Sequence, residues 1–404
     1  MTRTELLEIV RNGESSGVEF KRDTIEGRAL AKELVAFANL RGGKVLLGVE
    51  DDGNIVGVTR TNCEEWVMTA CRDKIRPEII PYFEMVREVV DGRDVAVIDV
   101  EQSYTVHHVW HDHHRTYCIR VGTQSREMSQ EELERLLQQR GSIRADVRPV
   151  TGTTIDDLDR RRLVDYFSRI RKQSMPDTEE VWRTLLINTE ILDSREHSSP
   201  ATLSGLLLFG RTPNRFLPQA GITAVAFKGS DKSYDIVDKA ALRGPMVPLM
   251  NESGLLIENG LVEQAIEFVH RNTHVTGVLE GGARRVALRE YPDDAVRETV
   301  VNALVHRDYL LSGTDIELSI YDDRLEILSP GRLPNAITIE RMRAGCRASR
   351  NQLLRDTMAD YNYVEQLGMG IPRKIIRSMH EHNGTEPNLA LIQEETFLVG
   401  LRKS

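Results

Sequence analysis

The sequence predicts an α+β protein with an N-terminal α/β domain, a mixed middle region and a C-terminal α/β sandwich. Three observations lead to this fold class. The chain has 404 residues, which is enough for two or three domains that each bury a core. Strand, helix and strand patterns follow one another over residues 14–58. From residue 286 onward, a helix, two strands, a glycine turn, a glycine loop, a helix and a last strand follow in that order.

The composition is that of a globular protein, with 40% apolar and 28% charged residues. No apolar run reaches the length that spans a membrane, and the charged N-terminus is typical of an amphipathic helix rather than a signal peptide. Four scattered cysteines indicate a reducing compartment, so we expect a cytoplasmic protein without a membrane segment. The net charge of −9 means that a nucleic-acid partner must meet a local cluster of cations.

Patterning divides the chain into four segments. Residues 1–143 form one α/β domain, 144–200 a linker with a helical segment, 201–285 a middle α/β scaffold, and 286–404 a C-terminal domain. In the middle region we expect strands over 202–209 and 222–227, then an amphipathic helix over 246–269 interrupted near Gly254. That region contains no catalytic constellation, which favours a scaffolding role.

The stretch from Glu14 to Val58 organises the first domain. Val18 to Lys21 alternates apolar and charged residues, so Glu19 and Lys21 share one face of a strand. A helix ending near Asn39 follows, and the buried strand 44–49 then carries Asp51 to its end. A strand with an acid and a lysine, beside a strand that ends in acids, can hold a divalent cation and polarise a phosphodiester.

The remainder of the domain reads as further helices and hairpins. We expect a helix over 63–75, strands over 85–90 and 94–100, a hairpin over 105–121 and a helix over 129–137. The hairpin is rich in histidine, at His107, His108, His111, His113 and His114. Metal binding is one interpretation. A polar turn is favoured, because neighbouring side chains point to opposite faces and no cysteine or acid pair completes a ligand set. The nearby cations Arg72, Lys74 and Arg76 indicate either a nucleic-acid contact or a solvated helix face.

The last third carries a second candidate site. Glu298, Asn302 and His306 recur every four residues, so they form one polar stripe on an otherwise apolar helix over 293–306. An inward asparagine needs a partner, which is either a metal–phosphate group or a backbone group. Gly368 and Gly370 precede another helix, where free N–H groups suit a phosphate, although a plain helix-entry turn has the same pattern.

Residues 1–143 resemble the Schlafen/AlbA-2 domain through ESSGVEFK, VAFANLRGG, KVLLGVEDDG and YCIRVGTQSREMSQEEL. In Schlafen nucleases the resemblance implies a catalytic Mg²⁺ or Mn²⁺ held by Glu14, Glu19 and Asp51. Lys21 would then neutralise the scissile phosphate. The same domain pattern also occurs in proteins that bind DNA without cutting it.

Residues from about 286 resemble the RecG-like divergent ATPase region of bacterial transcriptional regulators, a distant relative of the GHKL nucleotide-binding fold. The motifs are RETVVNALVHRDY, YDDRLEILSPGRLP, QLGMGIPRKIIRSM and ETFLVGL. The resemblance implies ATP binding, with Asn302 as the metal ligand on the nucleotide and Glu298 one turn earlier. Gly331 belongs to the base-side turn, and Gly368 and Gly370 belong to the phosphate-side loop. Ser329-Pro330-Gly331 stands where that fold carries an aspartate for adenine, which leaves adenine specificity open.

Three functions follow as hypotheses. The favoured one is a Schlafen-like, metal-dependent nuclease, with RNA the preferred substrate, regulated by nucleotide binding and acting in stress or antiphage defence. The alternative is a non-catalytic, ATP-binding transcriptional regulator that binds DNA, and the third is an assembly protein without chemistry. By analogy with both related folds we also expect a homo-oligomer.

Overall fold

The computed structural model describes residues 1–194, 199–280, 284–333, 337–346, 348–364, 369–393 and 396–403. The chain divides into two compact units, Met1–Ile143 and Arg144–Ser404. The first unit ends at the residue where the sequence patterning ends the N-terminal domain. None of the helices in the described ranges is both long enough and apolar enough to cross a membrane.

The first unit contains four helices and nine strands in its described chain. The helices are α1 Arg3–Asn12, α2 Gly27–Asn39, α3 Cys63–Lys74 and α4 Gln130–Gln139. The strands are β1 Val18–Lys21, β2 Gly42–Leu47, β3 Ile75–Arg76, β4 Tyr82–Val90, β5 Arg93–Glu101, β6 His108–His111, β7 His114–Thr116, β8 Cys118–Val121 and β9 Gln124–Glu127.

A four-stranded sheet in the order β1-β2-β5-β4 forms the centre of this unit. Strands β1 and β2 are parallel, whereas β2–β5 and β5–β4 are antiparallel. Because strand side chains alternate, Val45 and Leu47 pack with α2 and α3, while Leu46 packs with α1 on the opposite face. The sheet is therefore covered by helices on both faces, as the apolar run of β2 indicates.

The histidine-rich segment differs from the single hairpin expected over 105–121. It contains the hairpin β6–β7, which extends β3 into a three-stranded sheet, and β8 then turns away to pair with β9. The side chain of Asn39 bridges the start of β8 and the residue before β6. Its amide nitrogen donates to the carbonyls of His107 and Cys118 at 2.9 and 3.0 Å. An interaction over such a distance in the chain leaves no local pattern in the sequence.

The second unit has its helices at α5 Arg160–Asp165, α6 Glu179–Asn188, α7 Leu203–Phe209, α8 Leu261–Arg271, α9 Asp293–His306, α10 Ile339–Arg343, α11 Gln352–Asp360 and α12 Ser378–Asn383. Its strands are β10 Ile222–Phe227, β11 Ile236–Leu242, β12 Leu249–Met250, β13 Leu256–Glu258, β14 Val275–Glu280, β15 Arg284–Arg289, β16 Ile316–Ile320, β17 Arg324–Pro330, β18 Asn388–Ile392 and β19 Thr396–Arg402. A π-helical segment, Gly370–Arg377, leads into α12.

The middle and C-terminal regions share one sheet, in the order β11-β10-β16-β17-β19-β18. Strand β10 pairs in parallel with β16, which joins the 201–285 region to the C-terminal region by backbone hydrogen bonds. The stretch expected to be a linker is also packed, because the buried carboxylate of Asp146 accepts from the backbone N–H of Leu353 at 2.7 Å. Residues 144–404 thus form one compact unit.

Two secondary-structure predictions in the middle region are wrong. The expected strand over 202–209 is helix α7, which the hydroxyl of Thr202 caps by accepting from the N–H of Gly205 at 3.0 Å. A short apolar run fits either type of element, and here the cap decides. The expected helix over 246–269 is the hairpin β12–β13 followed by α8 from Leu261. Asn251 and Gly254 form the turn of that hairpin, since the N–H of Gly254 donates to the carbonyl of Asn251.

Candidate functional site

Three acidic side chains of the first unit meet around one ammonium group. We call Glu14, Glu19 and Asp51 the carboxylate cluster. The distances from Nζ of Lys21 are 2.5 Å to Glu19 Oε1, 3.7 Å to Asp51 Oδ1 and 3.9 Å to Glu14 Oε1. The sequence predicted that these carboxylates gather around a shared cation, and in this structure the cation is the lysine itself.

Local geometry explains how the chain brings these groups together. Glu19 and Lys21 lie on the same face of β1, and Asp51 follows the parallel strand β2 at the same edge of the sheet. Gly53, at φ +85°, closes the turn after Asp51 by donating its N–H to the carbonyl of Glu50. The carboxylate of Glu14 accepts from the N–H of Phe20 at 2.9 Å, which fixes it beside β1.

The buried side chain of Arg120 contacts the carboxylate cluster at Glu19, and the sequence did not predict this contact. The side chain of Arg120 on β8 is 0% exposed and lies 2.6 Å from Glu19 Oε2 and 3.2 Å from Glu33 Oε2. It also donates to the backbone carbonyls of Ser15 and Val18 at 2.9 and 3.3 Å. The available signal was period two along β8, because Arg120 stands two residues after the apolar, buried Cys118.

The protonation of these groups reflects their close packing. Burial disfavours the ammonium of Lys21, but the hydrogen bond to Glu19 and the charges of Glu19, Asp51 and Glu14 outweigh it, so the pKa of Lys21 is raised. Burial also raises the pKa of Glu33, against the hydrogen bond from Ser125 and the charge of Arg120. Lys21 therefore stays charged at neutral pH, in the position that a shared ion would take.

A divalent ion does not fit the carboxylate cluster in this arrangement, because Nζ of Lys21 lies within contact distance of all three members. Among the residues that the structure describes, no group of three or more His, Cys, Asp or Glu side chains has the geometry to hold a metal ion. The metal roles assigned to Glu14, Glu19, Asp51 and Asn302 therefore stay predictions.

The histidine-rich hairpin does not gather its imidazoles around one point either. The ring of His107 is buried, with its nitrogens 2.7 Å from the carbonyl of Pro77 and 2.7 Å from Ser103 Oγ. His111 instead approaches Asp112, with Nε2 at 3.0 Å from Oδ2. These separate partners agree with the polar-turn interpretation.

In the second unit, helix α9 lines a cavity of about 380 Å³. Glu298, Asn302 and His306 all contribute to its wall, so the stripe at four-residue spacing does face one space. The amide nitrogen of Asn302 donates to Glu298 Oε1 at 3.2 Å, and Nζ of Lys374 lies 3.6 Å from Glu298 Oε2. The donated hydrogen bond leaves the amide oxygen of Asn302 as its cation-binding atom.

Two glycines allow close approach at this cavity. A Cβ on Gly370 would lie 1.9 Å from Glu298 Oε1, so a larger residue there would displace the Glu298 carboxylate. Gly331 has φ +127°, and a Cβ there would lie 2.2 Å from Nη1 of Arg350. Both glycines line the cavity, whereas Gly368 lies outside the described residues.

Ser329, near the end of β17, belongs to the segment in which the related nucleotide-binding fold carries its adenine-binding aspartate. The hydroxyl of Ser329 donates to the carbonyl of Ala303 at 2.9 Å, which ties the end of β17 to helix α9. This hydroxyl is therefore used inside the fold rather than as an aspartate-like partner for a base.

The imidazole of His306 lies in the cavity wall and has a lowered pKa. Burial, followed by the charges of Arg350 and Arg355, lowers the pKa of His306 to about 4. The imidazole is thus neutral at physiological pH and adds no charge to the cavity.

The size and lining of this cavity are compatible with a nucleotide. Its volume lies in the range of small-molecule sites, roughly 300–1,000 Å³. Apolar side chains that suit a base, including Ile337, Ile371 and Phe397, line part of the wall. Arg332 and Arg355 line it as well and bring positive charge that suits a phosphate, although the guanidinium of Arg355 also pairs with Asp356 of the same wall.

Two family profiles match the chain, one near each end. The family profile "Schlafen, AlbA_2" matches residues 14–129, and the profile "Putative ATP-dependent DNA helicase recG C-terminal" (HATPase_c_4) matches residues 313–401. No curated protein matches the chain.

Two solved structures are similar. The DIP2311 protein from Corynebacterium diphtheriae is 23% identical, with a TM-score of 0.46, over 100% of this chain and 81% of that one. The N-terminal domain of a RecG-related helicase protein from Nitrosomonas europaea is 21% identical, with a TM-score of 0.26, over 32% of this chain and 94% of that one. On the two profile matches, residues 14–129 are similar to the Schlafen AlbA_2 domain and residues 313–401 to the RecG-type HATPase_c_4 region, a combination that supports a nucleic-acid-related regulator.

Proposed function

We propose that the protein binds nucleic acid through its first unit and responds to a nucleotide, ATP or a close analogue, bound in its second unit. The observation that carries this proposal is the cavity along α9, whose wall combines polar side chains, including Glu298 and Asn302, with apolar ones, many of them in the HATPase_c_4 region. A wall with both charged and apolar side chains suits a ligand that has both phosphates and a flat base.

The residues of the cavity take distinct roles in this proposal. Asn302 supplies an amide oxygen for the Mg²⁺ that accompanies a nucleotide, and Glu298 orients that amide through its hydrogen bond. Lys374 does not line the cavity, but its ammonium lies 3.6 Å from Glu298 Oε2 and in this proposal adds positive charge on the phosphate side. Gly370 lets the backbone approach closely, because it has no side chain to contact Glu298. When bound, the magnesium ion neutralises phosphate charge.

Nucleotide binding is tested by isothermal titration of the full chain with Mg–ATP and with Mg–GTP. We expect wild type to bind at least one of them, and Asn302→Ala to bind it at least tenfold more weakly, since a cation ligand is lost. Asn388→Ala, on the exposed edge strand β18, is the matched control and should bind as wild type does. Equal affinity of Asn302→Ala and wild type would contradict the assignment of this cavity.

The response is tested by nucleic-acid binding with and without nucleotide. Fluorescence anisotropy with labelled RNA, single-stranded DNA and duplex DNA should show binding of at least one of them, with an affinity that Mg–ATP changes more than twofold. The change should disappear in Asn302→Ala, because that variant no longer binds the nucleotide. Binding that ignores the nucleotide would remove the coupling from the proposal.

A metal-dependent nuclease is the second candidate, and the charge of the first unit favours it. The carboxylate cluster together with Glu33 carries more negative charge than Lys21 and Arg120 neutralise. Carboxylates this close together repel one another, so binding of a further cation or a proton among them is favoured. In this candidate Lys21 shifts aside from the position that it holds here.

The nuclease is tested by incubating labelled tRNA and plasmid DNA with the protein and Mn²⁺. Cleavage that is lost in Glu19→Gln, and retained in the control Glu132→Gln on helix α4, would establish it. Glutamine keeps the shape of the buried glutamate but removes the charge that Lys21 and Arg120 pair with, so thermal unfolding of the variant must show that the first unit is still folded. Binding without cleavage leaves the regulator as the function.

A further inference from the structure

The small sheet β3-β6-β7 has one buried face and one outward face of unusual composition. Ile75 and Val109 are paired across β3 and β6 and are buried in the core beside α2 and α3. Since strand side chains alternate, the residues next to them point outward. These residues are Arg76, His108, Trp110 and Arg115, and with His113 at the turn we call them the hairpin face.

Register places the members of the hairpin face next to one another. Arg76 on β3 is the cross-strand partner of His108 on β6, and Trp110 is the partner of Arg115 on β7. The ring centroids of His108 and His113 lie 6.2 and 6.1 Å from that of Trp110, both edge-on. The indole thus has two imidazoles edge-on to it, and an arginine stands on each of the strands that flank β6.

The indole of Trp110 is available to a partner. It is half-buried, and it packs against none of the hydrophobic cores formed by the described residues, unlike Trp66 of the same unit. Tryptophan is enriched at interfaces, because its ring buries a large apolar area while its N–H bonds a polar partner.

The positive charge of the hairpin face favours an anionic partner. Arg76 and Arg115 are exposed, and neither guanidinium forms an ion pair with any residue in the described ranges. The nearby carboxylate of Asp112 is engaged by His111. After burial, the charge of Arg115 is the next cause that lowers the pKa of His108, and Arg76 contributes too, so the fields of both cations overlap here. In a chain with net charge −9, this is a local site for a polyanion.

We propose that the hairpin face binds single-stranded nucleic acid, with an unpaired base stacked on Trp110 and flanking phosphates at Arg76 and Arg115. Strand β6 lies between β3 and β7, and neighbouring strands are about 4.8 Å apart; Arg76 is opposite His108 and Arg115 is opposite Trp110, so the two cations stand two strands apart and are offset by two residues along the strands. Only an unpaired base offers its flat face to an indole, because a duplex hides its bases in the stack. This inference rests on the proposed nucleic-acid binding of the first unit and assigns it a surface outside the carboxylate cluster.

The stacking contact is tested by anisotropy with labelled twelve-nucleotide poly-U, poly-dT and a duplex of mixed sequence. We expect Trp110→Leu to weaken binding of the single strands by about 5- to 150-fold, the range for losing one stacked base, with less effect on the duplex. Trp110→Phe keeps an aromatic face and should fall between Trp110→Leu and wild type. Thermal unfolding of each variant checks that the fold is retained.

The phosphate contact has its own measurement, the slope of log affinity against log salt. For a single strand, Arg115→Gln should reduce the magnitude of this slope by about 0.7, because one phosphate contact is lost. Arg87→Gln on β4 removes an equally exposed positive charge that pairs with Asp94, and it should leave the slope unchanged.

The possible results separate this inference from the proposed function. If wild type binds no nucleic acid, the proposed function fails and the inference fails with it. If wild type binds but Trp110→Leu and Arg115→Gln bind equally well, only the hairpin face is refuted. Equal losses for single strand and duplex overturn the stacking of an unpaired base. Displacement of poly-U by an equal concentration of poly-glutamate would show that the face is an acidic-protein site instead.

Discussion

Replacing Arg120 with methionine should destabilise the first unit more than any change at its surface. Methionine fills much of the same volume but donates no hydrogen bond and carries no charge. The arginine is 0% exposed and serves two carboxylates and two backbone carbonyls. Removing it leaves Glu33 with the hydrogen bond from Ser125 and Glu19 with the ammonium of Lys21.

The magnitude follows from what is left behind. Breaking a buried ion pair by removing one partner costs about 3–5 kcal/mol. Glu19 retains Lys21, and the side chain of Glu33 is 15% exposed, so water relieves part of that cost. The carbonyls of Ser15 and Val18 keep the N–H groups of Val18 and Ser15 as partners, at 3.3 and 3.1 Å, so their loss of the arginine adds little. We therefore expect a loss of about 4 kcal/mol at pH 7. With a urea slope of about 2 kcal/mol per M, the midpoint falls by roughly 2 M.

The assay must follow the first unit alone, because the chain has two compact units and need not unfold in one step. Hydrogen exchange pulses in a urea series, read by mass spectrometry on peptides from α2 and β5, report on this unit. Arg126→Met on β9 is the matched control. Its side chain is 48% exposed, so its midpoint should not shift resolvably. Adding Glu33→Gln to Arg120→Met should restore part of the loss, since the uncompensated charge is removed. A midpoint shift no larger than that of Arg126→Met would refute the reasoning.

Three further predictions concern both units. Gly370→Ala should reduce nucleotide affinity at least tenfold, because its Cβ would overlap Glu298 Oε1; unchanged affinity in isothermal titration would contradict it. The pKa of His306 in the folded chain lies below its usual 6.5, so the unfolded chain binds more protons between pH 6.5 and about 4. The free energy of unfolding of the second unit should therefore decrease as the pH is lowered through that window, and His306→Gln should make this decrease smaller in urea titrations. The pKa of Glu33 is raised above 4.5, so its contribution to stability is complete below pH 4.5 and is lost as pH rises through the folded pKa; a Glu33→Gln variant with the wild-type pH slope would disprove this.

The parts of the candidate sites that the sequence revealed are those encoded over short distances. Period two along β1 placed Glu19 and Lys21 on one face, and the structure brings them within 2.5 Å. Four-residue spacing on α9 placed Glu298 and Asn302 on one stripe, and both line the cavity. Such patterns persist because backbone geometry is local and repeats along the chain.

Other features appear only when distant segments fold together. Arg120 contacts Glu19 although the two are about a hundred residues apart in the sequence, and no periodic pattern predicts that contact. The pairing of β10 with β16 merges the middle and C-terminal regions into one sheet, although each segment has its own strand pattern. Helix α7 replaces an expected strand because a short apolar run is compatible with both, and its cap and packing decide.

By itself, then, the sequence determined the fold class, the family resemblances of the two halves and the residues that share a face within one strand or helix. Tertiary structure alone decided which ion meets the carboxylate cluster, namely the ammonium of Lys21, and which side chains surround the indole of Trp110. The physical reason is that local periodicity fixes the direction in which a side chain points. The group that it meets there depends on strand pairing and packing between segments far apart in the chain.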